Sequence, residues 1–249
     1  MAIVVVLALV GVFVLSTRSK SPAPPLTSSS TPTTQVPRGP VTLATSLTAG
    51  RGKVVFSDDF DDPGSGWITK PLPHSSFAYT SGGFTITGSG NFFHHTFAPY
   101  TEAFSQVGVS ITALQDLDAP LGAGFGVVCR RGSGAAQIEY SLLLVNDRRW
   151  QIVRNNGPDP VTTATLKEGT APVSPGESPN TVVGMCATQP DHQTTRLTLF
   201  VNGTRVADIT DTAPTFQDAG WITGITTASQ APASSTVTAI EFQERDLER

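Results

Sequence analysis

Residues 56–67 read FSDDFDDPGSGW, and this stretch marks the start of the folded part of the chain. It joins four aspartates to a Pro-Gly-Ser-Gly turn sequence and then to Trp67. The residues before it are apolar or of low complexity, whereas short strand-like runs follow it almost to the C-terminus. We therefore expect one β-rich domain over residues 53–246.

Composition limits the classes of protein to consider. The chain has 249 residues, of which only 14% are charged, and its formal net charge is −4. The length suits a single large β-domain with additional segments. Because the chain lacks an excess of basic residues, it has no electrostatic basis for neutralising phosphates, and nucleic-acid binding is not expected.

The strand-like runs after residue 53 show the patterns of an antiparallel β-protein. Residues 106–113 alternate, with Val107, Val109 and Ile111 on one predicted face. Ser81-Gly82-Gly83 separates two short runs, and Asn202-Gly203 is the pair that type I′ hairpin turns prefer. About thirteen such runs occur without helices between them. The pattern predicts an all-β fold, a jelly-roll sandwich of two antiparallel sheets.

The N-terminal region has a different composition. Residues 1–15 read MAIVVVLALVGVFVL and carry no charged side chain, which favours a hydrophobic helix that anchors the chain in a membrane. The run is shorter than the roughly 20 residues of a typical span, so a cleaved signal peptide is the alternative. Residues 16–52 are rich in Pro, Ser and Thr and are predicted to form a disordered linker.

The orientation of this anchor rests on conflicting observations. Arg18 and Lys20 follow the apolar run, and the positive-inside rule would place them in the cytoplasm. The linker composition, the β-rich domain and an expected disulfide all favour the opposite orientation. We therefore expect a single-pass membrane protein with its β-sandwich outside the cytoplasm, or a secreted protein if the segment is a cleaved signal.

The chain contains two cysteines, Cys129 and Cys186. An even number in an exported protein favours one disulfide, and two free thiols are the alternative. A zinc site is not expected, since the two cysteines and four histidines show no paired ligand spacing.

Three segments together resemble a known family. They are residues 56–67, residues 125–144 (FGVVCRRGSGAAQIEYSLLL) and residues 181–211 (TVVGMCATQPDHQTTRLTLFVNGTRVADITD). Their order is similar to that in bacterial concanavalin A-like, laminin-G-like jelly-roll domains, including those grouped with 3-keto-disaccharide hydrolases. The resemblance implies the same fold and a frequent position outside the membrane behind a Pro/Thr-rich linker. Some members of this family are enzymes and some bind glycans, so the fold does not determine the function.

Two groups of residues are candidates for a site. The four aspartates of the opening stretch supply oxygen ligands suited to Ca²⁺, although their spacing differs from an EF-hand loop. The alternative is a solvated acidic turn whose Phe60 and Trp67 pack inward. These four are Asp58, Asp59, Asp61 and Asp62.

The second group is a predicted sugar-binding face. Aromatic rings stack on the apolar faces of sugars, and arginines donate to hydroxyl groups. The candidates are Trp150, Tyr140, Arg130 and Arg131. The alternative is core packing for the two aromatic residues and solvent exposure for the arginines.

His94 and His95 do not form a metal site together, because adjacent strand residues face opposite ways. The Glu-x-Asp-x-x-Glu motif of jelly-roll glucanases is absent, and no catalytic residue is predicted. We expect a membrane-anchored binding or sensing module for cell-wall or environmental polysaccharide. The alternatives are a structural or protein-interaction domain without a small ligand, and a carbohydrate-active hydrolase.

Overall fold

A computed structural model describes residues 52–100, 102–132, 137–157, 162–173, 176, 178–212, 220–231 and 233–248. These residues contain fourteen β-strands and no α-helix. The strands are β1 (Lys53–Asp58), β2 (Ser75–Thr80), β3 (Gly83–Gly88), β4 (Phe93–Phe97), β5 (Gln106–Gln115), β6 (Gly124–Arg131), β7 (Ile138–Val145), β8 (Arg149–Asn156), β9 (Thr162–Thr170), β10 (Asn180–Thr188), β11 (Thr194–Val201), β12 (Thr204–Thr212), β13 (Ile222–Ala228) and β14 (Ser235–Asp246).

The strands form two sheets. Sheet A has the order β12-β11-β10-β5-β14-β3-β2, and β1 also pairs with β14. Sheet B has the order β4-β13-β6-β7-β8-β9. Every neighbouring pair is antiparallel. The predicted all-β jelly-roll sandwich is confirmed.

The core lies between the inner faces of the two sheets. Val107, Val109 and Ile111 of β5 are buried there, as their alternation predicts. Sheet B contributes every second residue of its strands, including Leu142 and Ile225. Because side chains alternate along a strand, the remaining residues of sheet B point to the opposite, outer face.

A disulfide between Cys129 and Cys186 links the two sheets, as predicted. Cys129 lies on β6 of sheet B and Cys186 on β10 of sheet A, and their Cα atoms are 6.6 Å apart. Both residues are fully buried in the core. The bridge therefore fixes the central strands of one sheet against those of the other.

The Asn202-Gly203 turn has the predicted conformation. Asn202 and Gly203 have φ values of 47° and 79°, which a type I′ turn requires at both central positions. The Asn202 side chain accepts from the Thr181 backbone N–H at 2.8 Å and donates to the Asn180 side chain at 2.8 Å. These bonds tie the hairpin of β11 and β12 to the start of β10.

One strand was not predicted from the sequence. Strand β9 is the edge strand of sheet B, and within the described residues it pairs with β8 alone. Its residues are Thr-rich and mostly polar (TTATLKEGT), so they lack the apolar alternation that reveals a half-buried strand. Pairing with β8, rather than burial, makes this segment extended.

The predicted N-terminal helix (residues 1–15) and nearly all of the predicted linker lie outside the described residues. Within the described part of the chain, no helix has the length and apolar character needed to cross a bilayer. The described residues accordingly define the β-sandwich alone.

Candidate functional site

The opening aspartate stretch is a structural network centred on Asp58. One carboxylate oxygen of Asp58 accepts from the Phe60 backbone N–H at 2.7 Å, and the other accepts from Ser65 and from the Trp67 indole at 2.8 Å. Tyr79 extends the network by contacting both Ser65 and the Trp67 backbone. Phe60 and Trp67 are buried, as the alternative interpretation of this stretch expected. Asp58 is thus engaged by donors of its own domain.

The other aspartates of the stretch organise its turns. Asp59 accepts from the Asp61 backbone N–H, and Asp62 accepts from the Gly64 backbone N–H. No group of three or more His, Cys, Asp or Glu residues arranged to hold a metal ion occurs among the described residues. The calcium site remains a prediction, without support from this geometry.

The outer face of sheet B is concave. His95 of β4 and Glu139 of β7 are separated by β13 and β6, yet His95 Nε2 lies 3.4 Å from Glu139 Oε2. In a flat sheet the strands β4 and β7 would lie about 14 Å apart, at about 4.8 Å per strand. Glu139 is also displaced along β7 by four residues from Leu143, which is the residue that aligns with His95. The contact therefore requires the sheet to curve toward this face and both side chains to lean across the intervening strands.

An aromatic stripe runs along β4 at the edge of this concave face, formed by Phe93, His95 and Phe97. The rings of Phe93 and His95 are 6.3 Å apart and nearly parallel, and those of His95 and Phe97 are 6.4 Å apart. All three residues are partly exposed. The aromatic stripe thus places three partly exposed rings in a row on one side of the concave face.

A polar cluster of His95, Arg130 and Glu139 adjoins the aromatic stripe. The Arg130 guanidinium lies 3.8 Å from the centre of the Phe97 ring, a cation–π contact. Arg130 Nη1 is 3.9 Å from Glu139 Oε1, which also accepts from Gln137 at 2.9 Å. The cluster therefore places a cation, a carboxylate and an imidazole together on a largely buried surface.

Burial shifts the pKa values of two members of this cluster. It lowers the pKa of His95 to about 4, helped by the positive charges of His94 and Arg130. It also raises the pKa of Glu139, which the nearby Arg130 charge partly offsets. His95 is therefore a neutral imidazole at pH 7, and its Nδ1 has no hydrogen-bond partner among the described residues.

Small residues and unpaired hydroxyl groups lie beneath the polar cluster. Gly126 and Gly224 leave no room for a side chain, since an added Cβ would meet backbone oxygen at about 2 Å in each case. Ser141 and Thr226 are completely buried, and within the described structure their hydroxyl groups make no hydrogen bond. These two hydroxyl groups are therefore buried polar groups without a hydrogen-bond partner among the described residues.

The four predicted sugar-binding residues separate between two faces. Arg130 lies on the outer face in the polar cluster. Tyr140 and Trp150 point inward and belong to the main core, so they cannot stack on a sugar in solution. Arg131 is also buried between the sheets, where it donates to Thr188 at 2.8 Å. The alternation of β6, β7 and β8 causes this separation, because neighbouring strand residues point to opposite faces.

Sequence reasoning did not identify Phe93, Phe97 or Glu139 as site residues. The stretch NFFHHTF contained the relevant pattern, since alternate residues of a strand share a face and Phe93, His95 and Phe97 are spaced by two. Glu139 gave no such pattern, because its partners come from other strands.

His94 faces inward, opposite to His95, as predicted. Its Nε2 lies 2.8 Å from the Ser229 hydroxyl, which in turn donates to the Gly90 carbonyl at 2.8 Å. This buried pair therefore joins the end of β13 to the loop before β4.

Comparisons with known proteins agree with this architecture. The chain matches no known family profile and no curated protein sequence. Among solved structures it is similar to an alginate lyase, Aly36B, with a TM-score of 0.52 and 12% identity over 73% of this chain and 87% of the other. A second similar structure is a GH16 protein of a Bacteroides ovatus mixed-linkage glucan locus, solved with an oligosaccharide product. Its TM-score is 0.51, with 9% identity over 76% of this chain and 99% of that chain.

The carbohydrate recognition domain of Emp46p, in its metal-free form, gives a TM-score of 0.51 and 10% identity over 76% of this chain and 91% of that domain. At these identities the likeness is one of fold. The β-domain of this chain has a jelly-roll β-sandwich fold.

Proposed function

We propose that this protein is a glycan-binding or glycan-sensing module and that the concave outer face of sheet B is its binding surface. The observation that carries this proposal is the aromatic stripe beside the polar cluster. Phe97 is a partly exposed ring against which the apolar side of a sugar would pack, next to the Arg130 guanidinium that lies over it. Arg130 and Glu139 offer a donor and an acceptor for sugar hydroxyl groups.

A further observation supports a glycan as the ligand. Similar folds are recorded for an alginate lyase, a mixed-linkage glucan protein and a carbohydrate recognition domain. A cell-wall or environmental polysaccharide is accordingly the proposed partner.

We also propose that the domain lies outside the cytoplasm, tethered to the membrane by residues 1–15 through the linker. The Cys129–Cys186 disulfide supports an oxidising compartment. The uncharged apolar run and the Pro/Ser/Thr-rich linker support a tethered domain.

Affinity electrophoresis of the full chain in gels containing alginate or mixed-linkage β-glucan tests the binding proposal. We expect retardation by at least one polysaccharide, and we expect Arg130→Ala and Phe97→Ala to abolish it. Arg196→Ala is the matched control, since Arg196 is exposed on sheet A and pairs with Asp208. Unaltered migration in a wider polysaccharide panel would exclude glycan binding and favour a protein-interaction role.

A carbohydrate-active enzyme is the second candidate function, favoured by the 3.4 Å contact between His95 Nε2 and Glu139 Oε2 together with the opposite directions of their pKa shifts. Shifted titrations of neighbouring groups are typical of catalytic sites. Product analysis by mass spectrometry separates the two functions, because Glu139→Gln would remove turnover yet retain retardation. Intact polysaccharide after prolonged incubation with the wild-type chain would exclude the enzyme.

A further inference from the structure

The concave face of sheet B has chemically different halves. Arg130 and Glu139 of the polar cluster pair in register near the end of β6 and define the polar half. The other half contains a second apolar cluster, separate from the main core, in which Phe93 packs with residues of three other strands. These are Leu143, Val145, Val153 and Ala228.

Within this second cluster, only Phe93 offers a surface. The other four members are at most 6% exposed, whereas Phe93 is partly buried and lies in the aromatic stripe. The buried members therefore form an apolar support, and Phe93 is the part that a ligand would touch. An apolar support of this kind disfavours a sugar hydroxyl and favours a hydrocarbon chain.

The apolar half ends at a loop that exposes two leucines. Leu117 and Leu121 lie between β5 and β6 and are 73% and 77% exposed. Gly124, three residues after Leu121, begins β6 and pairs with Val145 of the second cluster. The loop therefore lies at the same end of sheet B as the second cluster, beyond the ends of the strands.

This loop is held in place by one side chain. Asn146 accepts from the Gly122 backbone N–H at 3.0 Å and donates to the carbonyls of Ala119 and Pro120 at 2.6 and 2.7 Å. Its backbone N–H also donates to the Ala123 carbonyl at 2.9 Å. These four bonds hold residues 119–123 against Asn146. The loop that carries the two exposed leucines therefore has a defined conformation.

We infer that the ligand of the concave face is an amphiphile, a saccharide that carries an alkyl or acyl chain. Its sugar would contact Arg130 and Glu139, and its chain would pass over Phe93 toward Leu121. This inference rests on the proposed glycan-binding function of the same face. It adds that the ligand has a polar part and an apolar part, matching the two halves of the face.

The charge of the loop favours a neutral amphiphile over an anionic membrane surface. Asp116 and Asp118 flank Leu117 and are both exposed. Carboxylates at the point of contact would be repelled by anionic headgroups. A glycoside with an uncharged chain does not meet this repulsion.

Isothermal titration of the full chain with octyl β-D-glucopyranoside and its methyl analogue, both below the micelle-forming concentration, tests the inference. We expect the octyl compound to bind at least roughly tenfold more tightly, which corresponds to about 1.4 kcal/mol. Leu121→Asn should reduce that preference to roughly twofold or less. Val54→Asn is the matched control, since Val54 is an exposed apolar residue of β1 in sheet A.

Equal binding of the two glycosides, or failure of both to bind, would overturn the inference. If the polysaccharide gels still show Arg130-dependent retardation, the proposed glycan-binding function survives that result. A dimer by light scattering that Leu121→Asn dissociates would assign the exposed leucines to a second copy of the chain. That result would also overturn the inference.

Discussion

The Asp58 network and the polar cluster of the concave face are both buried groups of polar side chains, but they differ in how completely they are satisfied. Both oxygens of Asp58 accept hydrogen bonds, and the donors lie within nine residues of it along the chain. The polar cluster instead assembles His95, Arg130 and Glu139 from three strands, and His95 Nδ1 has no partner among the described residues.

This difference in hydrogen-bond satisfaction distinguishes residues that stabilise the fold from residues that bind a ligand. A satisfied network stabilises the fold, because removing any member leaves a buried partner without its hydrogen bond. An incompletely satisfied cluster contributes less to stability, and its partly exposed Arg130 guanidinium can donate to a ligand. We therefore expect substitutions in the Asp58 network to affect mainly stability and those in the polar cluster to affect mainly binding.

Removal of the disulfide should produce the largest loss of stability and affect both regions together. For Cys129→Ala combined with Cys186→Ala, the chain-entropy relation predicts a loss of about 4 kcal/mol in the free energy of unfolding, since the bridge closes a long loop. Urea denaturation followed by tryptophan fluorescence measures it. A loss below roughly 1 kcal/mol would show that the sheets hold together without the bridge.

Asp58→Ala should be the most destabilising substitution within the Asp58 network, at about 3 kcal/mol, because it leaves the Phe60 N–H and the Trp67 indole without their acceptor. Asp59→Ala is the control, since Asp59 is exposed and accepts only one backbone bond in the described structure. Denaturant unfolding of both variants compares them. Similar losses for the two would contradict the central role of Asp58.

Glu244 is intermediate between the satisfied Asp58 network and the incompletely satisfied polar cluster. It is buried in the described sandwich, and its Oε2 lacks a hydrogen-bond partner there. Burial raises its pKa to about 7, although Thr223 opposes the shift. A raised folded-state pKa stabilises the fold fully below the unfolded value of about 4.5, and this contribution is lost as the pH rises through about 7.

Glu244→Gln should remove that dependence. Relative to the variant, the wild type should lose on the order of 3 kcal/mol of unfolding free energy between pH 4 and pH 8. Asp118→Asn, at an exposed position, should leave the profile unchanged. Parallel profiles for wild type and Glu244→Gln would show that Glu244 does not titrate in this range.

Thr226→Val should have the smallest effect and sharpen the contrast between the two regions. Its hydroxyl is buried without a partner in the described structure, so replacing it with a methyl group should change stability by less than about 1 kcal/mol, with a gain as the expected sign. Ser65→Ala, in the satisfied Asp58 network, should instead lose about 1 kcal/mol. Thermal unfolding of the two variants distinguishes them, and equal losses would remove the contrast.

The sequence predicted those parts of the fold that depend on local patterns. Alternation in β5 identified its buried face, and Asn202-Gly203 identified a type I′ turn. It did not predict β9, whose extended conformation comes from pairing at a sheet edge. The predicted ends of strands agree better with the structure where apolar residues alternate than where threonine is frequent.

The candidate site was predicted far less completely. Tyr140 and Trp150 are aromatic residues close to Arg130 in the chain, and composition alone could not tell which face each occupies. The strand register decides which face of the sheet each residue occupies, and a register shift of one residue would move the inward-facing side chains to the outer face. Phe97 and Glu139 join Arg130 only because β4, β6 and β7 lie in one curved sheet.

The sequence by itself determined the all-β architecture, the hairpin turns and the two cysteines available for a bridge, because these depend on residue type and short-range spacing. The tertiary structure alone decided that His95 meets Glu139 across two strands and that apolar and polar halves share one concave face. The physical reason is that sheet curvature and strand register act between residues far apart in the chain, and no short-range pattern records them.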